Sequence, residues 1–394
     1  MAITFNGYRR KNGDIGVRNY VAVIPISVAA SSITSKIAQQ AGPWARATPH
    51  QMGTSQPSQS REQTVRVLTG IGRNPNVGAA LVIELGTEDI DADALADDIA
   101  TAKKPVDTVT IREEGGALET VETGIKTAES LNESISNCRR ERADISELIF
   151  GVECGGSDAT SGIAANPAVG NGCDRLVSGG GTACFSETPE FIGAEHILAN
   201  RTVNDDVREK LLDRVDTREQ MAEIMGVDLR GAQPTPGNQE GGLTTIEEKS
   251  LGAISKGGTT PVQDIIDYGE QLPRGGGLVL MDTPGYDVES VVGKVAGGAQ
   301  VIAFTTGRGS TTGNPIAPVI KVTGNPKTWS SMSNNMDINA STVIQGDSLE
   351  SVGERVFQTL VDVADGERTE AERRRLEEFA INEIQPVEHK LRGA

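Results

Sequence analysis

Basic stripes and long apolar runs are both scarce in this sequence, and each of these two shortages excludes a class of protein. Among 394 residues there are 12 Lys and 25 Arg against 55 acidic residues, which gives a formal net charge of −18, and aromatic residues make up 3%. Nucleic acid needs a basic surface, so it is not an expected partner. The longest apolar stretches, such as 20–27 and 277–281, are too short to cross a membrane. We therefore expect a cytoplasmic protein without a membrane partner.

Cysteine is also scarce, and several well-known motifs are missing. The four cysteines, Cys138, Cys154, Cys173 and Cys184, show no CxxC spacing, so neither a zinc knuckle nor a disulfide framework is indicated. The chain lacks GxxxxGK[ST], a strand-to-helix GxGxxG, GxSxG and HExxH. These absences argue against a P-loop enzyme, a dinucleotide-binding fold, an α/β hydrolase and a zinc protease.

The acidic residues are spread along the chain and form no single block. Such a lysine-poor, acidic surface is typical of a protein adapted to high internal salt, where screening removes the self-repulsion of the charge. The alternative is an acidic face that binds a cation or a basic partner. The scattered distribution favours the first interpretation, a halophilic protein.

Short apolar runs alternate with helical patterns, which predicts two α/β domains with mainly parallel sheets and Gly-rich loops at the strand ends. The predicted strands are 20–26, 79–85, 106–111, 148–152, 182–185, 277–281, 300–305 and 319–322. The predicted helices are 32–40, 91–100, 117–136, 205–225, 244–255, 287–295, 349–363 and 369–382. A charged helical segment is expected to end at 139–144, so the domains are placed at 1–143 and 144–394. The Pro- and Gly-containing stretch 231–242 is predicted to lack regular structure.

Four polar segments near the predicted strand ends are candidates for a binding site, because open α/β sheets bind ligands at the carboxyl ends of their strands. The first segment holds Arg18 and Asn19, just before the first predicted strand. Arg18 offers a bidentate fork for a carboxylate, although an exposed Arg is more often an ordinary surface residue.

The second segment, 153–162, follows the predicted strand 148–152 and precedes a helical pattern. It supplies three titratable groups, Glu153, Cys154 and Asp158, and a run of small residues, Gly155, Gly156 and Ser157. The glycines let the backbone approach a ligand closely, and the titratable groups suit proton transfer. A turn capped by Ser or Asp is the plainer alternative.

The third and fourth segments carry cations. In 238–250, a Thr followed three residues later by Glu forms a capping box, and Lys249 lies one turn into the helix, where it reaches an anion or is simply solvated. In 305–313, backbone N–H groups could cradle a carboxylate or phosphate, and Thr306, Gly307 and Arg308 are the candidate contacts. A Gly-rich surface turn is the alternative for this last loop.

Three histidines complete the candidates. His50 lies in a polar loop, where it is either a base or metal ligand or merely an exposed loop residue. His196 is expected to pack within a helix, and His389 falls in the charged tail.

Together these segments resemble the altronate/galactarate dehydratase family along nearly the whole chain. The motifs that carry the resemblance are GY at 7–8, GDIGVRNY at 13–20, CGGSDA at 154–159, FSE at 185–187, IGAEH at 192–196, PGN at 236–238, GGLTT at 241–245, EKSLG at 248–252, FTTGRG at 304–309 and NMDIN at 335–339. Ten ordered matches identify a family where any one of them alone would not.

The resemblance implies an activity and partners. Members dehydrate sugar acids such as altronate or galactarate to 2-keto-3-deoxy acids, with Fe(II) or Mn(II) as the divalent metal. The family also includes the large subunit of sulfolactate sulfo-lyase, which eliminates sulfite and yields pyruvate, and a non-catalytic paralogue that binds sugar acids is a third alternative. Full-length dehydratases carry a small SAF domain before the first motif, so a separate small subunit of SAF type is an expected partner. A homo-oligomer is also expected.

Both reactions remove a weakly acidic proton next to a carboxylate and create a dianionic enediolate, so the site needs positive charge, a base and an acid. The candidates for holding the substrate carboxylate are Arg18, Lys249, Arg308 and Lys321. The candidates for moving protons are His50, Glu153, Cys154, Asp158 and Glu187. The residues alone do not say which of them is base and which is acid.

The chain departs from the family pattern where the resemblance leads us to expect cysteines. The corresponding positions hold Ala29, Thr54, Thr87, Asn314 and Ala340. If the family thiolates bind metal, this protein holds its metal through oxygen and imidazole ligands, or weakly, or not at all.

Overall fold

The computed structural model describes residues 3–385 and 388. The strands are β1 (Thr4–Arg9), β2 (Ile15–Gly16), β3 (Tyr20–Pro25), β4 (Ala45–Ala47), β5 (Val77–Glu84), β6 (Val106–Thr110), β7 (Arg140–Asp144), β8 (Ile149–Cys154), β9 (Thr182–Phe185), β10 (Val262–Ile266), β11 (Gly277–Met281), β12 (Val301–Thr305), β13 (Val319–Thr323) and β14 (Ile338–Asn339). Every apolar run predicted to be a strand is a strand, with ends shifted by two residues at most.

The helices are α1 (Val28–Ala41), α2 (Ser58–Arg73), α3 (Ala92–Ala100), α4 (Ala117–Ile135), α5 (Asn166–Ser178), α6 (Glu195–Ala199), α7 (Asp205–Ile224), α8 (Leu229–Ala232), α9 (Pro236–Glu240), α10 (Ile246–Ile254), α11 (Asp287–Ala296), α12 (Pro326–Ser331), α13 (Leu349–Asp365) and α14 (Glu370–Arg374). A π-helical turn, Ser161–Ala165, leads into α5. Among the described residues, no helix is long and apolar enough to span a membrane.

The described strands form three sheets, two of them parallel. A four-stranded parallel sheet has the order β4-β3-β5-β6, and a seven-stranded parallel sheet has the order β10-β11-β9-β8-β12-β13-β14. The predicted α/β class with mainly parallel sheets is therefore confirmed. Strands β11, β9, β8 and β12 are consecutive neighbours, so the segments that follow them emerge side by side at one edge.

The third sheet is small and antiparallel, in the order β2-β1-β7. Thr4 pairs with Asp144 and Tyr8 with Arg140. The prediction that a charged helix ends at 139–144 was wrong, because α4 stops at Ile135 and the following polar residues pair with β1. Polar residues on a short edge strand leave no apolar run from which a strand could be predicted.

The two parallel sheets share one hydrophobic core, which α2 and α11 build between them. Val67 of α2 and Val295 of α11 belong to the same buried cluster. A Cβ at Gly70 would lie 2.3 Å from the carbonyl oxygen of Ala296, so the two helices touch through backbone. The seven-stranded sheet is thereby fixed against the four-stranded one.

Two other predictions were wrong. The stretch 231–242 contains α9 and the end of α8, because Pro236 starts a helix in place of breaking one. The helix predicted for 369–382 ends at Arg374, and Arg375 takes a left-handed conformation at its C-cap. The chain then runs without regular structure past Ile381, whose carbonyl accepts a hydrogen bond from Gln51.

Candidate active site

Four chain segments that follow neighbouring strands build the site. The turn after β8 begins with Gly155, and the segment after β9 carries Ser186 and Glu187. Strand β11 leads to Thr283 and α11, and β12 leads to the loop 306–309. Parallel neighbours place these segments at one edge of the sheet, where an α/β fold binds its ligands.

A buried group of four side chains, termed the thiol cluster, consists of Cys154, Glu187, Glu190 and Lys256. The Cys154 thiol donates to Glu190 Oε2 at 2.9 Å and accepts from Lys256 Nζ at 3.0 Å. Lys256 also bonds to Glu190 Oε2 at 3.2 Å and to Glu187 Oε2. All four residues are buried, and Lys256 is 0% exposed. One ammonium thus holds a thiol and two carboxylates together.

The backbone of Glu187 is strained in a way that aims its side chain at this cluster. Its φ of 73° and ψ of 60° lie in the left-handed region, which is uncommon for a residue with a side chain. Its N–H donates to Thr283 Oγ1 at 2.9 Å, and its Oε2 accepts from the Cys154 N–H at 3.2 Å. Strain of this kind concentrates at functional sites.

The charges in the thiol cluster shift the pKa values of its members. Burial raises the pKa of the Cys154 thiol well above its usual range, and the carboxylate of Glu187 adds to the shift. Burial alone would raise the pKa of Glu190, but Lys256 and Lys249 lower it to about 2. At neutral pH the cluster therefore holds an ionised Glu190 beside a protonated thiol.

A second group, termed the carboxylate cluster, consists of Glu153, Glu187 and Asp287. One oxygen of each carboxylate lies within 4.8 Å of those of the other two. Burial raises the pKa of Glu187 well above its usual range and that of Asp287 to about 7, with nearby carboxylates contributing to both shifts. The two clusters share Glu187.

A fully buried lysine, Lys294, supplies a counter-charge to the carboxylate cluster. Lys294 Nζ bonds to Glu153 Oε2 and to the hydroxyl groups of Ser186 and Ser290. Ser290 Oγ also donates to Glu153 Oε2 at 2.7 Å. The other carboxylate oxygen of Glu153 has no hydrogen-bond partner although it is buried.

A cleft of about 240 Å³ opens beside Lys249. It is lined by residues of the 157–166 segment and of α10, including Ser157, Asp158 and Asn166. Lys249 Nζ lies 3.4 Å from Glu190 Oε1, and its side chain is 16% exposed. Lys249 therefore connects the cleft to the thiol cluster.

The second and third predicted segments line this cleft, and the fourth packs against the second. The Arg308 N–H donates to the carbonyl of Gly156 at 3.0 Å, and Asn238 Nδ2 donates to that of Ser157 at 2.9 Å. A Cβ at Gly307 would lie 2.1 Å from the carboxyl carbon of Asp158. Only a glycine at 307 permits this contact between the loops.

Asp158 itself serves the fold. Its Oδ1 accepts from the backbone N–H groups of Thr160 and Ser161, and its Oδ2 accepts from Asn325 Nδ2 at 2.8 Å. The capped turn weighed for this segment is thus present, and Asp158 positions the loop. The Arg308 side chain is exposed next to Gly237. Thr306 Oγ1 accepts from the Gly309 N–H at 3.0 Å.

Arg18 is not brought to this site. Its guanidinium pairs with Glu372, with Nε to Oε1 at 2.6 Å, and donates to the carbonyls of Val17, Val363 and Glu367. Because these bonds use Nε, Nη1 and Nη2, the guanidinium cannot form a bidentate pair with a substrate carboxylate. Asn19 is likewise committed, since it accepts from Arg10 and donates to the carbonyl of Ile135.

His50 and Lys321 are also placed in structural roles. His50 is buried, its Nε2 lies 2.8 Å from the carbonyl of Pro25, and its Nδ1 accepts from the Met52 N–H. Burial lowers its pKa to about 4, so both ring nitrogens are used by a neutral imidazole. Lys321 donates to the carbonyl of Thr311 at 2.9 Å, and burial lowers its pKa to about 8. His389 lies outside the described residues.

Sequence reasoning missed Glu190, Lys256, Asp287 and Lys294. Two spacings could have indicated part of the set. Glu190 follows Glu187 by three residues, and Lys256 follows Lys249 by seven, which places it on the same face two turns along a helix. Lys294 and Asp287 carried no such signal, because charged residues on a predicted helix are most often solvated.

The donors of the two clusters differ in their fitness for a divalent metal. In the thiol cluster the Lys256 ammonium already contacts all three potential ligands. The carboxylate cluster offers oxygen atoms, one of them on Glu153 without a partner, and such donors suit Mn(II) and similar hard cations. The carboxylate cluster therefore fits the metal that the family resemblance implies.

The sequence of this chain matches a known protein family along most of its length. Residues 7–136 match the second domain of D-galactarate dehydratase/altronate hydrolase, and residues 145–387 match the C-terminal region of D-galactarate/altronate dehydratase. The chain is 38% identical to (2R)-sulfolactate sulfo-lyase subunit beta of Chromohalobacter salexigens, over 97% of both chains. It is 34% identical to altronate dehydratase of Bacillus subtilis and 33% identical to that of Escherichia coli, over 96% and 95% of this chain and 77% and 76% of those proteins. The chain belongs to the altronate/galactarate dehydratase family.

Proposed function

We propose that this protein is a lyase that dehydrates a sugar acid such as altronate or galactarate to a 2-keto-3-deoxy acid. The observation that carries the proposal is the thiol cluster beside the cleft, where Cys154 lies between the ammonium of Lys256 and the carboxylate of Glu190. Such an arrangement can accept a proton from carbon and stabilise the resulting negative charge. The names of the relatives support the same class of reaction.

In the proposed mechanism, Lys249 binds the substrate carboxylate. It is the ammonium that lines the cleft, and Glu190 anchors it from the buried side at 3.4 Å. Substrate hydroxyl groups would meet the polar residues Ser157 and Asn166 along the same wall. The carboxylate would thereby be fixed with its neighbouring carbon directed toward the cluster.

Cys154 is the proposed acceptor of the proton next to the carboxylate. Because the resting cluster holds a protonated thiol beside an ionised Glu190, the sulfur would take the proton from carbon as it passes its own proton to Glu190 Oε2 at 2.9 Å. The Lys256 ammonium, 3.0 Å from the sulfur, stabilises the negative charge that develops in the site. Glu190 would then return that proton to the neighbouring hydroxyl, which leaves as water as the C–O bond breaks, and the resulting enol becomes the 2-keto acid. A divalent cation held by Glu153, Glu187 and Asp287 would supply positive charge for the enediolate.

Sulfite elimination from sulfolactate is the second candidate function. The observation that favours it is the 38% identity to a sulfo-lyase subunit beta over 97% of both chains. The first step is the same, but sulfite leaves as an anion and needs no proton. The separate small subunit expected from the sequence would complete either enzyme, and the fact that this relative is a subunit beta supports such a partner.

The test is to incubate the protein at molar KCl with a panel of substrates, namely aldonates, aldarates and sulfolactate, and to identify the products. Each substrate is assayed with and without Mn(II), and with and without an added small subunit of SAF type. Formation of a 2-keto-3-deoxy acid supports the first candidate. Sulfite together with pyruvate selects the second. Tight binding of an aldarate without product under every condition would overturn both in favour of a binding paralogue.

Replacing Lys249 tests the substrate-binding role. A charge-assisted hydrogen bond contributes about 1.5–3 kcal/mol, so Lys249→Met should raise KM by about 10- to 100-fold. The effect on kcat should be smaller, because the lost contact is made in the ground state as well. Lys327→Met, on the exposed face of α12, is the matched control and should leave KM unchanged. Equal KM values in the two variants would contradict the role.

A further inference from the structure

We propose that Arg218, on α7, is a positioning residue of the active site, because it fixes the turn that holds Glu187. Arg218 acts through Asp282, the residue that follows β11. The inference rests on the proposed function, in which Glu187 supports the Lys256 ammonium beside Cys154. It assigns a role in that function to a helix that contributes no residue to either cluster.

Hydrogen bonds from a neighbouring segment hold the strained backbone of Glu187. Thr283 Oγ1 accepts from the Glu187 N–H at 2.9 Å, and the Thr283 carbonyl accepts from the Thr188 N–H at 3.2 Å. Thr188 Oγ1 donates in turn to Asp282 Oδ1 at 2.7 Å. A left-handed conformation at a residue with a side chain persists only where its surroundings hold it. These three hydrogen bonds, termed the Glu187 clamp, join residues 187–188 to residues 282–283 and provide that restraint.

The guanidinium of Arg218 fixes the Asp282 end of the clamp. Its Nε and Nη2 donate to Asp282 Oδ1 at 3.1 and 2.9 Å, and this is the same oxygen that accepts from Thr188. Both side chains are buried, with Arg218 8% exposed and Asp282 2% exposed. Charge-assisted bonds from a planar guanidinium restrict orientation as well as distance. The carboxylate is therefore held where the Thr188 hydroxyl meets it.

A second carboxylate, that of Glu388, pairs with the other side of Arg218. Arg218 Nη1 lies 3.3 Å from Glu388 Oε1, and Glu388 is 2% exposed. Arg218 thus carries two buried ion pairs, and the one with Asp282 leads to the clamp. Because the two pairs can be weakened separately, a positioning role can be distinguished from a general contribution to stability.

Loosening the clamp would let Glu187 leave its left-handed conformation. Its Oε2 would then move away from the Lys256 ammonium and from the Cys154 N–H, to both of which it is bonded. A displacement of about 1 Å in a catalytic group can cost about 100-fold in rate. Lys249, the proposed binder of the substrate carboxylate, pairs with Glu190. The expected effect is therefore on kcat more than on KM.

Two mild substitutions interrupt the connection at different points. Arg218→Lys keeps the charge but loses the two-point contact, and Thr188→Val removes the hydroxyl in a side chain of similar volume. Each should lower kcat by about 10- to 100-fold and change KM by less than about threefold, on the substrate identified by the panel. Thr188→Ser, which keeps the hydroxyl, should recover most of the loss. Because both substitutions act through Asp282 Oδ1, the double variant should be little slower than the slower single variant.

Hydrogen exchange of the substrate-free protein provides a measure that does not depend on turnover. Mass spectrometry follows the peptide that contains the amides of Glu187 and Thr188, which are both donors in the clamp. Their exchange should be faster by about tenfold or more in Arg218→Lys and in Thr188→Val. Glu388→Gln weakens the other ion pair of Arg218 and is the matched control, so its exchange and kcat should equal those of the wild type. Circular dichroism shows that each variant is folded.

Three results would overturn the positioning role of Arg218. They are unchanged exchange at residues 187–188 in both Arg218→Lys and Thr188→Val, a loss of kcat in Glu388→Gln equal to that in Arg218→Lys, and a double variant whose loss is the product of the two single losses. Faster exchange in a protein that converts no substrate of the panel would retain the clamp and reject the lyase. Equal turnover in the wild type and both variants would retain the lyase and reject the positioning role.

Discussion

Lys256→Met is expected to lower the free energy of unfolding by about 3–5 kcal/mol, because it leaves buried carboxylates without their counter-charge. The ammonium bonds to Cys154, Glu187 and Glu190, and Lys256 is 0% exposed. Methionine fills a similar volume, so the change removes charge with little loss of packing. Urea denaturation of wild type and variant measures the difference.

The pH dependence of stability provides a second measure of the same interaction. Lys256 and Lys249 lower the pKa of Glu190 to about 2 against the burial that would raise it. A carboxyl group with a lowered pKa stabilises the folded state above its unfolded pKa of about 4.3, and this contribution is lost as the pH falls toward 2. The wild type should lose stability through that window more steeply than Lys256→Met does. Lys327→Met serves as the control and should follow the wild type. If the stability of Lys256→Met falls with pH in parallel with that of the wild type, Lys256 does not stabilise the ionised form of Glu190.

Much of the fold could be predicted because the buried strands consist mostly of apolar residues. Strands β9 and β11 match their predicted limits at 182–185 and 277–281. Strands β1 and β7 were missed, since both consist largely of polar residues and form no apolar run. Helix α2 was missed because its sequence is mostly polar, although its buried face packs on α11.

The site could be predicted only in part, and the missed part is electrostatic. The glycine-supported loops at 155–158 and 306–309 meet as expected, because they follow adjacent strands. Arg18 looked like a carboxylate binder, yet it is held by Glu372, which is 354 residues away along the chain. Lys256 and Lys294 looked like ordinary helix-surface residues. No local pattern distinguishes a buried charge from a solvated one when its partners are distant in sequence.

Cys154→Ser is expected to lower kcat by about 100- to 10,000-fold, the range for a group that transfers a proton in the transition state. Serine retains a hydroxyl that can donate to Glu190 and accept from Lys256, so the hydrogen bonds of the cluster survive. What it removes is the sulfur, because a hydroxyl passes its proton to Glu190 less readily than a thiol does. The stability of the variant should stay within about 1 kcal/mol of the wild type.

The control for this prediction is Cys173→Ser, which also replaces a fully buried thiol, in α5. Its Sγ donates to the backbone carbonyl of Lys256 at 3.5 Å and is not a member of the thiol cluster, so kcat should change by less than threefold. Steady-state kinetics on the substrate identified by the panel gives both values. A binding role for Cys154 would raise KM and spare kcat. If kcat in Cys154→Ser matches that of Cys173→Ser, the proton acceptor is another residue. Asp287, the half-buried member of the carboxylate cluster, is then the next residue to replace.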